Sequence, residues 1–415
     1  MRSLIAEGRS EAHARTAPTR RRRGGWLAAH LSAAVLGIMA GALVVELALR
    51  IAGVSDPYFY VLDPHTGIAL RPGVEGWYRD EGMAYVRISR QGLRDREHAE
   101  RHDPNAFRIA ILGDSFAEAR QVPAEQAFWS VMQRRLRVCA ALEGKVAEAI
   151  NFGVNGYGTA QELLTLRHRL WPYHPDLVIL AVFTGNDIKN NSRALERDPL
   201  RPYFVYAGGG LALDMSFLDS RDYRMRSARI ARLWYSVANR VRILQVAARA
   251  VRTLGADPDA AIAGKASVGD SGLAPAVYRE PRDPVWRDAW TVTERLIAAM
   301  HDEVERHGAM FLVVTLSNPI QVHPDPAVRG RFMRAVGVKT LLYPDRRIRK
   351  LGRREHITVL TLAPRLRAYA ETNRTLLHGF ANGTPGERHW NRVGHRVAGS
   401  LIARHVCRAA RLAGR

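Results

Sequence analysis

The run Arg108-Ile109-Ala110-Ile111-Leu112, followed at once by Gly113-Asp114-Ser115-Phe116, decides the fold. A short, near-continuous apolar run reads as a strand buried on both faces. The Gly-Asp-Ser break then turns the chain toward a helix. Four more such runs follow: Val146–Phe152, Leu177–Phe183, Met310–Leu316 and Ile357–Leu362. Helical patterns separate or close them, at Ala124–Arg137, Ala160–Trp171, Trp286–Arg306 and Gly394–Arg411. Alternation of this kind predicts a three-layer α/β/α domain with a mostly parallel, flavodoxin-like five-stranded sheet. Residues 107–411 form that domain, and 191–285 are an insertion between its third and fourth strands. The insertion holds a glycine turn (Gly208–Gly210), a basic helical stretch (Met225–Leu254) and an Ala/Gly/Asp-rich region at 255–274. Residues 54–106 read as an extension of loops and short strands.

The 415 residues carry 47% hydrophobic and 25% charged residues, which excludes global disorder and fibrous repeats. Two cysteines, Cys139 and Cys407, are too few for a four-thiolate metal site. No His/Asp/Glu cluster has metal spacing, and no phosphate-cradling glycine loop is followed by Lys. No metal and no cofactor are therefore expected. The formal charge of +22 favours anionic partners. Its bases are spread over nearly every segment instead of lining one groove, so nucleic acid is not an expected partner.

Seven of the first 25 residues are Arg, and Arg20–Arg23 abut the apolar stretch Trp26–Val45. Twenty residues of helix span about 30 Å, the thickness of a bilayer core. Residues 1–25 are expected as a basic cytoplasmic tail and 26–46 as a transmembrane anchor, with the rest periplasmic or extracellular. A cleaved signal peptide ending at Ala40-Gly41-Ala42 and a buried soluble helix are the competing readings.

The chemistry sits at strand ends. Ser115 follows the first strand, at the sheet edge where open α/β folds place ligands. The second strand ends in Asn151-Phe152-Gly153-Val154-Asn155-Gly156-Tyr157-Gly158, whose glycines permit close backbone approach. The third ends in Gly185-Asn186-Asp187, where the Asn186 amide is a neutral donor for an oxyanion. His389-Trp390-Asn391, then Gly394-His395, stand before the last helix, and His389 is a candidate general base. Asp114 and Asp187 read as caps, Trp286 and Trp290 as core, Trp390 as pocket or core, and His395 as structural.

These four blocks, in this order, resemble the SGNH (GDSL-type) hydrolase family over about residues 107–190 and 355–411. The resemblance implies a serine enzyme that cleaves or transfers acyl groups. Ser115 would be the nucleophile and His389 the base. The Ser115 N–H, the Gly156 N–H and the Asn186 amide would form the oxyanion hole. One departure stands out: the family places Asp three residues before the histidine, and here that position is Gly386. Glu387 is the nearest acid; water, a backbone carbonyl or a distant acid are the alternatives.

In a flavodoxin-like order the first and last helices cover one face, so an oxidising compartment permits a Cys139–Cys407 disulfide. The expected function is an ester hydrolase acting on an O-acyl group of an envelope glycan or a lipid-like ester. An O-acyltransferase to a polysaccharide and a catalytically lapsed carbohydrate-binding module are the alternatives.

Overall fold

The computed structural model describes residues 22–101, 103–253 and 274–413. The basic tail up to residue 21 and nearly all of the 255–274 region lie outside the described residues. What is described falls into two units, one ending at Gly53 and one beginning at Val54.

The first unit is helix α1 (Arg22–Ile51), within which Trp26–Ile51 holds an 18-residue stretch of mean hydropathy 2.1 and is long and apolar enough to cross a membrane. It runs past the expected end at residue 46. Glu46 and Arg50, one turn apart at 2.7 Å, neutralise each other and let the helix continue.

The second unit opens with two antiparallel hairpins, β1 (Tyr60–Asp63) with β2 (Gly67–Leu70) and β3 (Glu75–Tyr78) with β4 (Ala84–Arg87). Then come β5 (Ala106–Gly113), α2 (Ser115–Glu118), α3 (Phe128–Leu136), β6 (Val146–Asn151), α4 (Thr159–Thr165) and β7 (Leu177–Phe183). The insertion comprises α5 (Asp187–Asn190), α6 (Arg193–Glu196), the hairpin β8 (Tyr203–Ala207) and β9 (Gly210–Asp214), and α7 (Arg221–Ser227), α8 (Arg229–Ala238) and α9 (Arg242–Thr253). The chain ends with α10 (Pro284–Arg306), β10 (Met310–Leu316), α11 (Pro326–Val336), α12 (Tyr343–Arg354), β11 (Thr358–Thr361), α13 (Ala363–Asn373) and α14 (Arg392–Ala413).

The five long apolar runs form one parallel sheet in the order β11-β10-β7-β5-β6, the flavodoxin-like order. Period-two alternation divides each strand between two cores. Ile109, Ile111, Ile179 and Val314 pack with Met132, Leu366 and Ile402 from α3, α13 and α14. Ala110, Leu112, Leu180 and Val313 pack with Leu163, Trp290 and Ile348 from α4, α10 and α12. Both faces are therefore covered, which is why the strands read as continuous apolar runs. Cys139, just beyond α3, and Cys407 in α14 are joined by a disulfide with Cα atoms 5.8 Å apart, across 268 residues of sequence.

Candidate active site

β5 and β7 are neighbours in the sheet but are separated in sequence by the β6 excursion to the edge. Their carboxyl ends flank the switch point where such sheets bind ligands. Ser115 leaves β5 there. Asp114 caps the short helix by accepting the Phe116 N–H at 2.9 Å. The turn is tight: a Cβ at Gly113 would lie 2.8 Å from the Ala117 Cβ, and one at Gly153 would lie 2.4 Å from that same atom. Only glycine fits at these two strand ends.

His389 sits on the loop before α14, and its backbone is fixed on both sides. The Gly379 N–H donates to His389 O at 2.9 Å, and the Asn391 N–H donates to Leu377 O at 2.9 Å. The Asn391 side chain then accepts the Val393 and Gly394 N–H groups, capping α14. Beneath the loop, His378 Nδ1–H donates to Arg388 O at 2.8 Å, so its Nε2 accepts from the Ser317 hydroxyl at 3.1 Å. Ser317 Oγ in turn accepts the Trp390 indole N–H at 2.9 Å. This network and the Phe116 ring, whose centroid is 5.1 Å from that of His389, fix the imidazole plane.

That placement brings His389 Nε2 to 2.9 Å from Ser115 Oγ. The two residues are 274 apart in sequence and both are buried. At Nδ1 stands Glu81, its Oε2 2.6 Å away and its Oε1 accepting the His389 backbone N–H at 3.0 Å. Glu81 lies in the turn between β3 and β4, inside the segment that reads from sequence as loops and short strands. Asn382 clamps that turn to the histidine loop. It accepts the Gly82 N–H at 2.9 Å and donates to Arg79 O and Gly82 O at 3.0 and 2.7 Å.

Glu387 does not occupy this place. Its side chain is exposed, and its backbone N–H closes a turn onto Thr384 O at 3.1 Å. The preceding Gly386 has φ +86°, a conformation that L side chains rarely adopt. The loop conformation that delivers His389 therefore disfavours an acid at position 386 and directs the one at 387 to solvent. The carboxylate comes instead from the far amino-terminal side of the domain. The only sequence signal for it is negative, namely the missing acid before His389, and that signal does not select among the chain's acidic residues.

Three potential donors lie on the segments that follow β5, β6 and β7: the Ser115 N–H, the Gly156 N–H and the Asn186 side-chain amide. The Ser115 and Gly156 N–H groups have no hydrogen-bond acceptor among the described residues. Gly156 has φ +80°, which glycine adopts without strain. Its loop is held by Glu118, buried beneath it, which accepts the Asn155 N–H at 2.5 Å and the Tyr60 hydroxyl at 2.9 Å. The Asn186 side-chain N–H₂ reaches Asp114 Oδ2 at 3.3 Å, which holds the amide beside the nucleophile turn.

Burial raises the Glu81 carboxyl, but hydrogen bonds and charge from His389 outweigh it and hold the group below its ordinary value of 4.5. The carboxylate is therefore ionised throughout the neutral range. Burial pushes His378 and His395 down to about 3, so both are neutral packing groups. His395 Nδ1 accepts the Phe128 N–H at 3.3 Å, consistent with a structural part. Trp290 and Trp390 are fully buried, and Trp286 packs against the core from its margin.

The chemistry available here is proton transfer from a serine hydroxyl to an imidazole whose tautomer is set by a carboxylate. No protein-family profile matches the chain, and no curated protein sequence does either. Among solved structures it is similar to an acetyl xylan esterase, AlAXEase, at 13% identity and TM-score 0.36, over 72% of this chain and 99% of that one. It is also similar to a lipase/acylhydrolase from Enterococcus faecalis, at 13% identity and TM-score 0.35, over 73% and 96%. An acetylxylan esterase from Geobacillus stearothermophilus aligns at 9% identity and TM-score 0.36, over 73% and 94%. Likenesses this distant leave the function to be read from the site's own geometry.

Proposed function

We propose that this chain is a membrane-anchored, SGNH-type serine ester hydrolase with Ser115 as nucleophile, His389 as base and Glu81 as the acid that orients it. The observation that carries the reading is the continuous relay from Ser115 Oγ through His389 to Glu81, at 2.9 and 2.6 Å. Ser115 gives its proton to His389 Nε2 and attacks the ester carbonyl. Nδ1–H continues to donate to Glu81, which stays ionised and stabilises the imidazolium. The tetrahedral oxyanion takes hydrogen bonds from the Ser115 N–H, the Gly156 N–H and the Asn186 amide. Nε2 then protonates the leaving alcohol, and an acyl-enzyme remains on Ser115. Water, deprotonated by the same nitrogen, releases the acid.

The missing acid before His389 is the feature that favours a lapsed binding module, and the Glu81 carboxylate at Nδ1 supports the hydrolase reading over it. The substrate is an O-acyl group on an envelope glycan or a lipid-like ester, with α1 as a single-pass anchor and the catalytic domain outside the cytoplasm. The test is Ser115→Ala in the full chain, assayed on p-nitrophenyl acetate. Loss of about 10³-fold or more in turnover is expected, and unchanged turnover would overturn the assignment.

A further inference from the structure

Helices α7 to α9 carry a surface that the catalytic reading does not use. Residues 221–253 contain nine Arg and one acid, Asp222. On α8 the apolar residues recur at Ile230, Leu233, Trp234 and Val237, the spacing of a single helical face. In a helix of a soluble core that face turns inward. Here it turns outward: Ile230 is 81% exposed, Leu233 64% and Trp234 52%, while the adjoining side, with Ala231 and Tyr235 half-buried and Ala238 1% exposed, turns inward. Contiguous exposed apolar surface marks an interaction site. An apolar stripe with Trp, flanked by exposed Arg224, Arg229 and Arg232, matches a helix lying in a lipid headgroup interface.

The place of this surface in the chain identifies the occupant. The inner side of α8 and α9 is bonded to the first residues of the catalytic unit. The Asp56 N–H donates to Gln245 Oε1 at 2.9 Å, and the Tyr58 N–H donates to Asn239 Oδ1 at 2.7 Å. Asn239 Nδ2 returns a bond to Tyr58 O at 3.2 Å, and the Tyr58 and Tyr235 rings meet edge to face at 5.2 Å. Asp56 follows the end of the apolar span, Ile51, by five residues, and five extended residues reach at most about 17 Å. A span embedded in a bilayer thus tethers this strip of the domain close to the lipid surface. Arg249 of α9 also pairs with Asp80, the neighbour of Glu81, at 3.3 Å.

We infer that α7–α9 form a second membrane-binding element, which seats the Ile230–Val237 stripe in an anionic phospholipid surface and places the Glu81-bearing turn beside it. The inference rests on α1 being a membrane span. Its test uses the full chain in phosphatidylcholine vesicles containing phosphatidylglycerol. An environment-sensitive fluorophore is attached at Leu233→Cys or, separately, at Val35→Cys within α1. The two natural cysteines are paired with each other, so each label is unique. The Leu233 label is expected to shift to the blue and to lose about half its emission to a nitroxide lipid of shallow depth. Arg229→Glu with Arg232→Glu should reverse both effects. If the Val35 label is quenched and the Leu233 label is not, the surface is overturned while the anchor stands. Blue emission at Leu233 without quenching would mean that residues 254–273 or a second copy cover the face, and would equally refute lipid binding. If neither label is quenched, the span itself fails and the inference falls with it.

Discussion

Replacing Glu81 by Gln tests the site through its hydrogen-bond arithmetic. The carboxylate uses both oxygens: Oε1 takes the His389 backbone N–H at 3.0 Å and Oε2 faces Nδ1 at 2.6 Å. Glutamine has one acceptor oxygen. The backbone N–H can only donate, so that oxygen must serve it, and the amide N–H₂ is left facing Nδ1. The imidazole then places its proton on Nε2, the nitrogen that must receive the Ser115 proton, and its base function is lost. Putting an amide in place of the acid of a serine–histidine–acid relay costs about 10⁴ in turnover, or about 5 kcal/mol of transition-state stabilisation. The assay is kcat and KM for p-nitrophenyl acetate, with thermal unfolding as the control for folding. Glu81→Gln should lower kcat by about 10³ to 10⁴ with KM little changed, and Glu387→Gln should leave both unaltered. A Glu81→Gln enzyme within about threefold of the parent, or a large loss from Glu387→Gln, would refute the reasoning.

Further outcomes follow from the same structure. Asn186→Ala should cost about 10² to 10³ in kcat, the usual loss for one oxyanion donor; steady-state kinetics check it. His378 and His395 are held neutral down to about 3, against an ordinary 6.5. The unfolded chain therefore binds protons that the folded chain refuses. Their stabilisation is complete above pH 6.5 and is lost as pH falls toward 3, by about 2 kcal/mol for each histidine between pH 7 and 5. Denaturant titration at the two pH values reads that slope, and His378→Asn should flatten it. The Cys139–Cys407 bridge closes 268 residues of chain, so its reduction should cost about 2 to 5 kcal/mol and lower the unfolding temperature in calorimetry.

The central sheet was legible because its inner strands β5, β7 and β10 are buried on both faces, which leaves near-continuous apolar runs. The boundaries at Leu177 and Met310 are sharp in the sequence for that reason. The helices α11 and α12 were not. Arg residues crowd Tyr343–Arg354, and Ile348 and Leu351 are the two large aliphatic side chains on the face it buries, beside Pro344, Asp345 and Gly352. Ser115, His389 and Asn186 could be marked because each borders an element whose type was already readable, Ser115 and Asn186 after strands and His389 before the last helix. Glu81 could not be marked. Its part depends on a hairpin docking 308 residues away in sequence, and no local pattern in Arg79-Asp80-Glu81-Gly82 encodes that contact. The positive φ of Gly386, visible only in three dimensions, disfavours an acid at that position of the loop. The Met225–Leu254 stretch reads from sequence as basic and helical, and helical periodicity does not report that the apolar face of α8 is exposed.

The most direct measurement of the convergence of Ser115, His389 and Glu81 is covalent trapping by a fluorophosphonate, with intact mass and peptide mapping. The relay predicts one adduct per chain, carried by the peptide containing Ser115, abolished by His389→Ala and slowed strongly by Glu81→Gln. No adduct on the native chain, or an adduct that maps to another serine, would contradict it.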